Sequence, residues 1–203
     1  MASILKVDTI QDQSGNNIIN ENADTITIGA SGDTVNVVGT LQNNGSALAS
    51  GITEADMWRI TSGYSGYNDP ITANWERADT DNFTVLGSGL SESSGIFTFP
   101  STGYYFINFQ ASFTRNGDDR AINAAINVTV NNSTYSDISS EATFIQQTES
   151  DATSAFSMCS AIVYCDDISN VKVSFSAGGV GTTTNGGTSA QATGFSVFKL
   201  ANI

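Results

Sequence analysis

The 203-residue sequence predicts an all-β protein. Runs of Ala, Leu, Glu and Lys that would favour helices are missing, while β-branched residues and turn formers are plentiful, with 19 Gly. Apolar and polar residues alternate at period two along several segments, the spacing of half-buried strands. Charged residues are 13% of the chain, against about a quarter in ordinary globular proteins, so neutral Ser, Thr, Asn and Gly must cover the surface.

Residues 1–48 read as a stem. Ile4-Leu5-Lys6-Val7 and Asn17-Ile18-Ile19-Asn20 flank a polar turn from Gln11 to Asn16, the pattern of a hairpin-like pair. Thr25-Ile26-Thr27-Ile28-Gly29 precedes Thr34-Val35-Asn36-Val37-Val38-Gly39, with Ile26 and Val35 nine residues apart, so two further short strands are expected. So few apolar residues cannot fill a core in one chain. An intertwined β stem, stabilised by copies from neighbouring chains, is the expectation, and it makes residues 1–48 an attachment segment. Leu41 to Gly51 is small and polar, and the linker is placed at 49–56. Thr53 to Ile60 is the one stretch suited to a helical turn.

From Trp58 onward the faces of successive strands can be assigned by parity. Tyr105, Ile107, Phe109, Ala111 and Phe113 are apolar, while Asn108, Gln110 and Ser112 are polar. Segments 122–130 and 171–176 alternate in the same way, each predicting one core face and one wet face. Two segments are apolar on both sides: 156–164, with Phe156, Met158, Ile162 and Tyr164 opposite Cys159, Ala161 and Val163, and 195–200, with Phe195 and Val197 opposite Phe198 and Leu200. Strands apolar on both faces are buried on both faces. In a two-sheet sandwich the second face of such a strand is buried by another molecule, which predicts that these strands lie side by side in a sheet that packs against partner subunits. Phe156, Met158, Ile162, Tyr164, Phe198 and Leu200 are the expected interface. Cys159 and Cys165, six apart on one strand, stand about 20 Å apart when extended, beyond the ~7 Å reach of a disulfide. They read as small buried thiols.

Composition also excludes chemistry. With 7 Lys+Arg against 20 Asp+Glu, a net charge of -13 and a pI near 4.1, the surface cannot neutralise a phosphate backbone, so nucleic acid is not an expected partner. The absence of His removes imidazole bases, Ser/His/Asp triads and His-bearing zinc sites. No segment approaches ~18 consecutive apolar residues, and Met1 to Ile10 has no signal-peptide pattern. Synthesis in the cytoplasm without membrane insertion is expected.

Leu90, Phe97, Gly103, Tyr105 and Phe109 fall at L-x6-F-x5-G-x-Y-x3-F. This spacing, within the phrase Gly95 to Phe106, resembles the complement C1q-like globular head, a relative of the tumour-necrosis-factor-like jelly roll. Gly194-Phe195-Ser196-Val197-Phe198-Lys199-Leu200 is similar to that family's terminal strand. Ile107 replaces an aromatic of the pattern, and Val85 replaces an expected Asn or Asp. The resemblance spans roughly residues 57–203 and implies a ten-stranded jelly roll assembled as a homotrimer, with its inner sheet along the threefold axis. Ser3-Ile4-Leu5-Lys6-Val7-Asp8-Thr9-Ile10, followed by Ser14-Gly15-Asn16, resembles the opening of many structural and fibre proteins of tailed bacteriophages, particularly marine ones.

Together these imply a non-enzymatic virion protein, a fibre or spike on the phage tail or a decoration of the capsid head. Residues 1–48 would dock to other virion proteins, and the knob at 57–203 would adsorb to a host-surface glycan or protein. A secreted or surface-displayed bacterial C1q-like adhesin is the alternative reading. A polysaccharide depolymerase ranks below both, because no spacing of carboxylates supports it. Tyr64, Tyr67 and Trp75 are receptor-contact candidates able to stack on sugar rings; alternatively they complete the inner sheet and its subunit contacts. Asp118, Asp119, Asp166 and Asp167 read as solvated turn residues. The resemblance adds calcium as the one cofactor to consider, although neither pair has D-x-D-x-D-G spacing.

Overall fold

The computed structural model describes residues 9–11, 13–15, 17–22, 25–28, 31–39, 41–43, 46–47, 51–80 and 83–203. They contain strands and no helix. The chain divides into two units, Met1–Ser50 and Gly51–Ile203.

In the first unit β1 (Thr9–Gln11), β2 (Asn17–Asn22) and β3 (Thr25–Ile28) form an antiparallel meander in that order. Ile19 stands opposite both Ile10 and Ile28. β4 (Gln42–Asn43) and β5 (Ser46–Ala47) make a minimal hairpin within the small, polar stretch that begins at Leu41, ahead of the linker expected at 49–56. Ile4 to Val7, assigned to a hairpin from the sequence, lie outside the described residues. Thr34 to Val38 form no strand: their side chains are exposed, and no described strand pairs with them. Ile10, Ile19, Ile26 and Ile28 are likewise exposed. Alternation therefore marked where a face exists without supplying anything to cover it.

The second unit is a two-sheet sandwich. Its strands are β6 (Ala55–Ile60), β7 (Tyr64–Ser65), β8 (Trp75–Arg77), β9 (Ser91–Ser93), β10 (Ile96–Thr98), β11 (Gly103–Arg115), β12 (Asp119–Thr129), β13 (Ser136–Ile145), β14 (Thr153–Cys165), β15 (Lys172–Gly178), β16 (Thr183–Thr184) and β17 (Gly194–Ala201). One sheet has the order β13-β12-β15-β10-β9. The other, called the inner sheet below, runs β14-β11-β17-β6-β8, with β16 beside the far end of β11 and β7 beside β16. The chain crosses between sheets after β8, β10, β11, β13, β14 and β15, the alternation of a jelly roll. Ten strands build the sandwich, and the two-residue pair β7–β16 extends the inner sheet. The helical turn expected at Thr53 to Ile60 is instead β6. β17 pairs along one side of it and β8 along the other, which places Trp58 and Ile60 in the core.

An aromatic cluster fills the sandwich. Phe175 stacks on Phe195 at 4.2 Å between centroids and lies 4.8 Å from Phe109, while Phe97 meets Trp58, Trp75 and Phe195 edge-on. Leu90, Phe97, Tyr105 and Phe109, the motif residues that carried the family resemblance, are all buried here. Between β9 and β10, Ser94 and Gly95 both take positive φ (53° and 80°), the demand of a tight two-residue hairpin turn. The carbonyl of Ile71 also crowds the place a Cβ of Gly95 would take.

β12 and β15 lie side by side in the second sheet, but the wet face expected for them is closed. Asn127, Thr129, Ser174 and Ser176 are buried. Their polar groups bond locally instead: Asn127 Nδ2 donates to Ser176 Oγ and Asp69 Oδ1, and Thr129 Oγ1 donates to Asn131 Oδ1. The segment around Asn68 to Ile71 docks on β15 through backbone bonds to Phe175 and Ala177.

Register fixes the two ends of the sandwich. Phe198 opposite Ala55, Gly103 opposite Cys165 and Tyr104 opposite Ala201 mark the end at which the chain enters it. Arg115 opposite Thr153 and Asp119 opposite Ile145 mark the other.

Candidate functional site

The inner sheet has a core-facing side and an outward side, and the second is the candidate site. β14 and β17 do not lie side by side, as their two-faced pattern suggested. β11 runs between them and pairs with both, because it is the longest central strand and has two free edges to offer. All three strands contribute to one outward face. Ile162, Phe106 and Phe198 form one row across it, and Tyr164 and Tyr104 form the next, their rings 4.9 Å apart. Ser160, Asn108 and Ser196 make a polar row, beyond which Met158 and Phe156 stand opposite Gln110 and Ser112.

Most of the apolar side chains on this face are in the open. Phe156 is 68% exposed and Ile162 63%, and Met158, Tyr164, Leu200 and Tyr104 are also exposed, while Phe198 and Phe106 are half-buried. The six residues expected at an interface are thus brought to one face. Tyr104 and Phe106 were missed, since parity assigned their strand by its odd positions; two aromatics at adjacent even positions were the available sign.

Buried charge holds the rim of the same sheet. Asp56 is buried; its Oδ1 accepts from the Met57 amide and Arg77 Nε, and its Oδ2 from Trp58 Nε1, the Leu90 amide and Arg77 Nη2, at 2.8–3.1 Å. The Arg77 guanidinium lies 4.8 Å from the Trp58 ring centroid, so one ion pair ties β6, β8 and the loop before β9 together. Arg59, also buried, reaches Glu76, Asp79 and Thr80.

Of the receptor-contact candidates, Tyr67 is exposed, but Trp75 and Tyr64 are turned inward on β8 and β7 of the inner sheet, so of the two readings these rings follow the one in which they complete that sheet. Trp75 packs among Phe97, Phe175 and Phe195 and donates Nε1–H to the Ile71 carbonyl. Tyr64 donates its hydroxyl to the Ala177 carbonyl, and burial pushes its pKa up to about 12. A ring carrying an N–H or O–H is placed inside only where a carbonyl can receive it, and both have one.

Among the described residues no three His, Cys, Asp or Glu side chains gather as metal ligands. Asp119 is buried and accepts from Thr182 Oγ1 and Arg115 Nη1. Asp118 accepts from the Gln147 amide. Asp166 is exposed. Asp167 caps its own turn, and the hydrogen bonds it receives from Ser169 hold its pKa below the usual carboxylate value. Cys159 and Cys165 are free and buried, both on the core-facing side of β14; burial pushes the Cys159 thiol up to about 11, so neither is poised as a nucleophile.

No protein-family model matches the chain, and no curated protein does. Among solved structures it is similar to the crystal structure of murine APRIL at pH 8.5, with 12% identity over 72% of this chain and 98% of that one, at a TM-score of 0.48.

Proposed function

We propose that this chain is a non-enzymatic binding protein that assembles as a homotrimer through the outward face of its inner sheet. Residues 57–203 form the exposed knob of a virion fibre, spike or head decoration, and residues 1–48 attach it to other virion proteins. The observation that carries the reading is the apolar outward face spread over β14, β11 and β17. A surface of this kind on an isolated molecule marks an association site, and a closed ring of identical copies covers it in every subunit. The C1q-like motif residues favour three copies, and the amino-terminal phrase favours a phage particle as the place of attachment.

Light scattering coupled to size exclusion is expected to give three times the 21.2 kDa chain mass. A monomer at all micromolar concentrations overturns the assembly. Antibody labelling of purified phage particles encoding the chain should decorate tail or head, and label confined to a bacterial envelope would transfer the knob to a cell-surface adhesin.

A further inference from the structure

At the end of the sandwich opposite Ala55, a cleft of about 390 Å³ is lined by Asp118, Arg120, Phe144, Ile145 and Gln146. That volume lies in the ~300–1,000 Å³ range of small-ligand pockets. Strand pairing explains the lining. Asp119 pairs with Ile145 and both side chains are buried; a bulge follows before the ladder resumes at Ile122 opposite Thr143, and it leaves Arg120 exposed beside that pair, with Asp118, Phe144 and Gln146 around the same opening. Bonds at the rim fix the loops that shape it: the Gln147 amide donates to Asp118 Oδ1 at 2.8 Å, and Gln147 Nε2 donates to Asn116 Oδ1.

Two features of this cleft have no role in the fold. Phe144 is 65% exposed and, among the described residues, has no aromatic partner and no place in the core cluster. Arg120 is the cation without a partner among the described residues of an acidic chain. Among the described residues, Arg59, Arg77 and Arg115 form ion pairs, Lys172 donates to the Ile168 carbonyl and Lys199 to Ser101 Oγ, while Arg120 has no partner.

We infer that this cleft binds an acidic pyranose unit of a cell-surface polysaccharide. The Phe144 ring is a platform for the C–H face of a sugar ring. The planar Arg120 fork matches a carboxylate with two parallel N–H···O bonds. Gln146 offers both a donor and an acceptor for hydroxyls, and the free Asp118 Oδ2 accepts one. Asp118 also repels a carboxylate set on its own side, which leaves the Arg120 side for the acid group and orients the ring. The site is separate from Tyr64, Tyr67 and Trp75. The inference rests on the host-adsorption reading only for the source of the sugar.

The test is titration of the full chain with D-glucuronic acid and with D-glucose, followed by saturation-transfer NMR and calorimetry. Glucuronic acid should saturate in the millimolar range, about tenfold more tightly than glucose. Arg120→Gln should erase that preference, and Phe144→Ala should weaken both sugars; both positions are exposed, so melting temperatures should stay at the wild-type value. Equal binding of the two sugars, no binding of either, or a preference that survives Arg120→Gln overturns the inference, as does tighter binding of an Asp/Glu peptide than of glucuronic acid. Mass in solution and labelling of particles are read independently of these titrations. A trimeric virion protein that ignores glucuronic acid defeats the cleft alone, and a glucuronate-binding monomer defeats the assembly alone.

Discussion

The two sides of the inner sheet share a backbone, yet they solve opposite problems. On β11 the odd positions Tyr105, Ile107, Phe109, Ala111 and Phe113 are completely buried by the second sheet, while Tyr104, one peptide plane from Tyr105, is exposed. On β14, Cys159 and Val163 point into the core while Phe156 and Ile162 point out of it. The core-facing side is satisfied within one chain; the outward side carries apolar area the chain never covers. Folding explains the first set of residues, and only association explains the second. The first unit repeats the outward pattern, because Ile10, Ile19, Ile26 and Ile28 of its meander are also exposed.

Substitutions on the core side should have the largest effect on the unfolding free energy of the chain. Phe109→Ala removes a fully buried ring packed 4.8 Å from Phe175 and should cost about 3–5 kcal/mol. Urea denaturation measures it, and a loss under about 1 kcal/mol would show that the aromatic cluster is loosely packed and the contrast between the faces false. Next comes Asp56→Ala, at about 3 kcal/mol. It leaves the Arg77 guanidinium, the Trp58 indole N–H and the Leu90 amide without their shared acceptor. Thermal melts should show the loss, with Asp56→Asn recovering part of it.

Much of this contrast was legible in the sequence, for a physical reason: side chains alternate across a strand, so a strand apolar at both parities declares two buried faces before its partners are known. Phe156, Met158, Ile162 and Tyr164 were assigned to one face in this way. What parity cannot carry is adjacency. That β11 separates β14 from β17 depends on long-range pairing, to which no local pattern refers. The placement of Trp75 and Tyr64 stayed open between surface and inner sheet for a related reason, since whether an aromatic in a Gly-rich segment lies outside or inside depends on distant carbonyls of Ile71 and Ala177. The cleft at Arg120 and Phe144 was invisible because 24 residues separate two side chains that only the β12–β13 register brings together.

Alkaline pH sharpens the comparison from within β14. Cys159 faces the core, and its thiol titrates near 11 in the folded chain against 9.0 when unperturbed. The unfolded chain therefore releases this proton first. The stabilisation is complete below pH 9 and is lost as pH rises through about 11. Tyr64 adds a further loss between its unperturbed 10.0 and about 12. Stability curves from pH 8 to 11 should fall for wild type and fall less steeply for Cys159→Ala, in which Tyr64 keeps its share of the slope above pH 10. Identical slopes would mean that the thiol is reached by water, and that the core side of β14 is less closed than its neighbours on β11.

The smallest expected change in chain stability is on the outward side, three residues from Cys159. Ile162→Ser removes an exposed side chain that stands opposite Phe106 on the outward face and lies outside the core cluster. The unfolding free energy of the separated chain should therefore shift by no more than about 0.5 kcal/mol. The assembled protein should respond differently. Association adds stability by mass action, so the wild-type melting temperature should rise with protein concentration, and Ile162→Ser should remove that dependence. The pair of readouts separates the two faces cleanly. A residue that matters to the chain alone lowers the melting temperature equally at every concentration, whereas one that matters to association changes only its slope. If Ile162→Ser lowers the melting temperature equally at all concentrations, Ile162 belongs to the fold rather than to an interface, and the outward face loses its strongest claim to a partner.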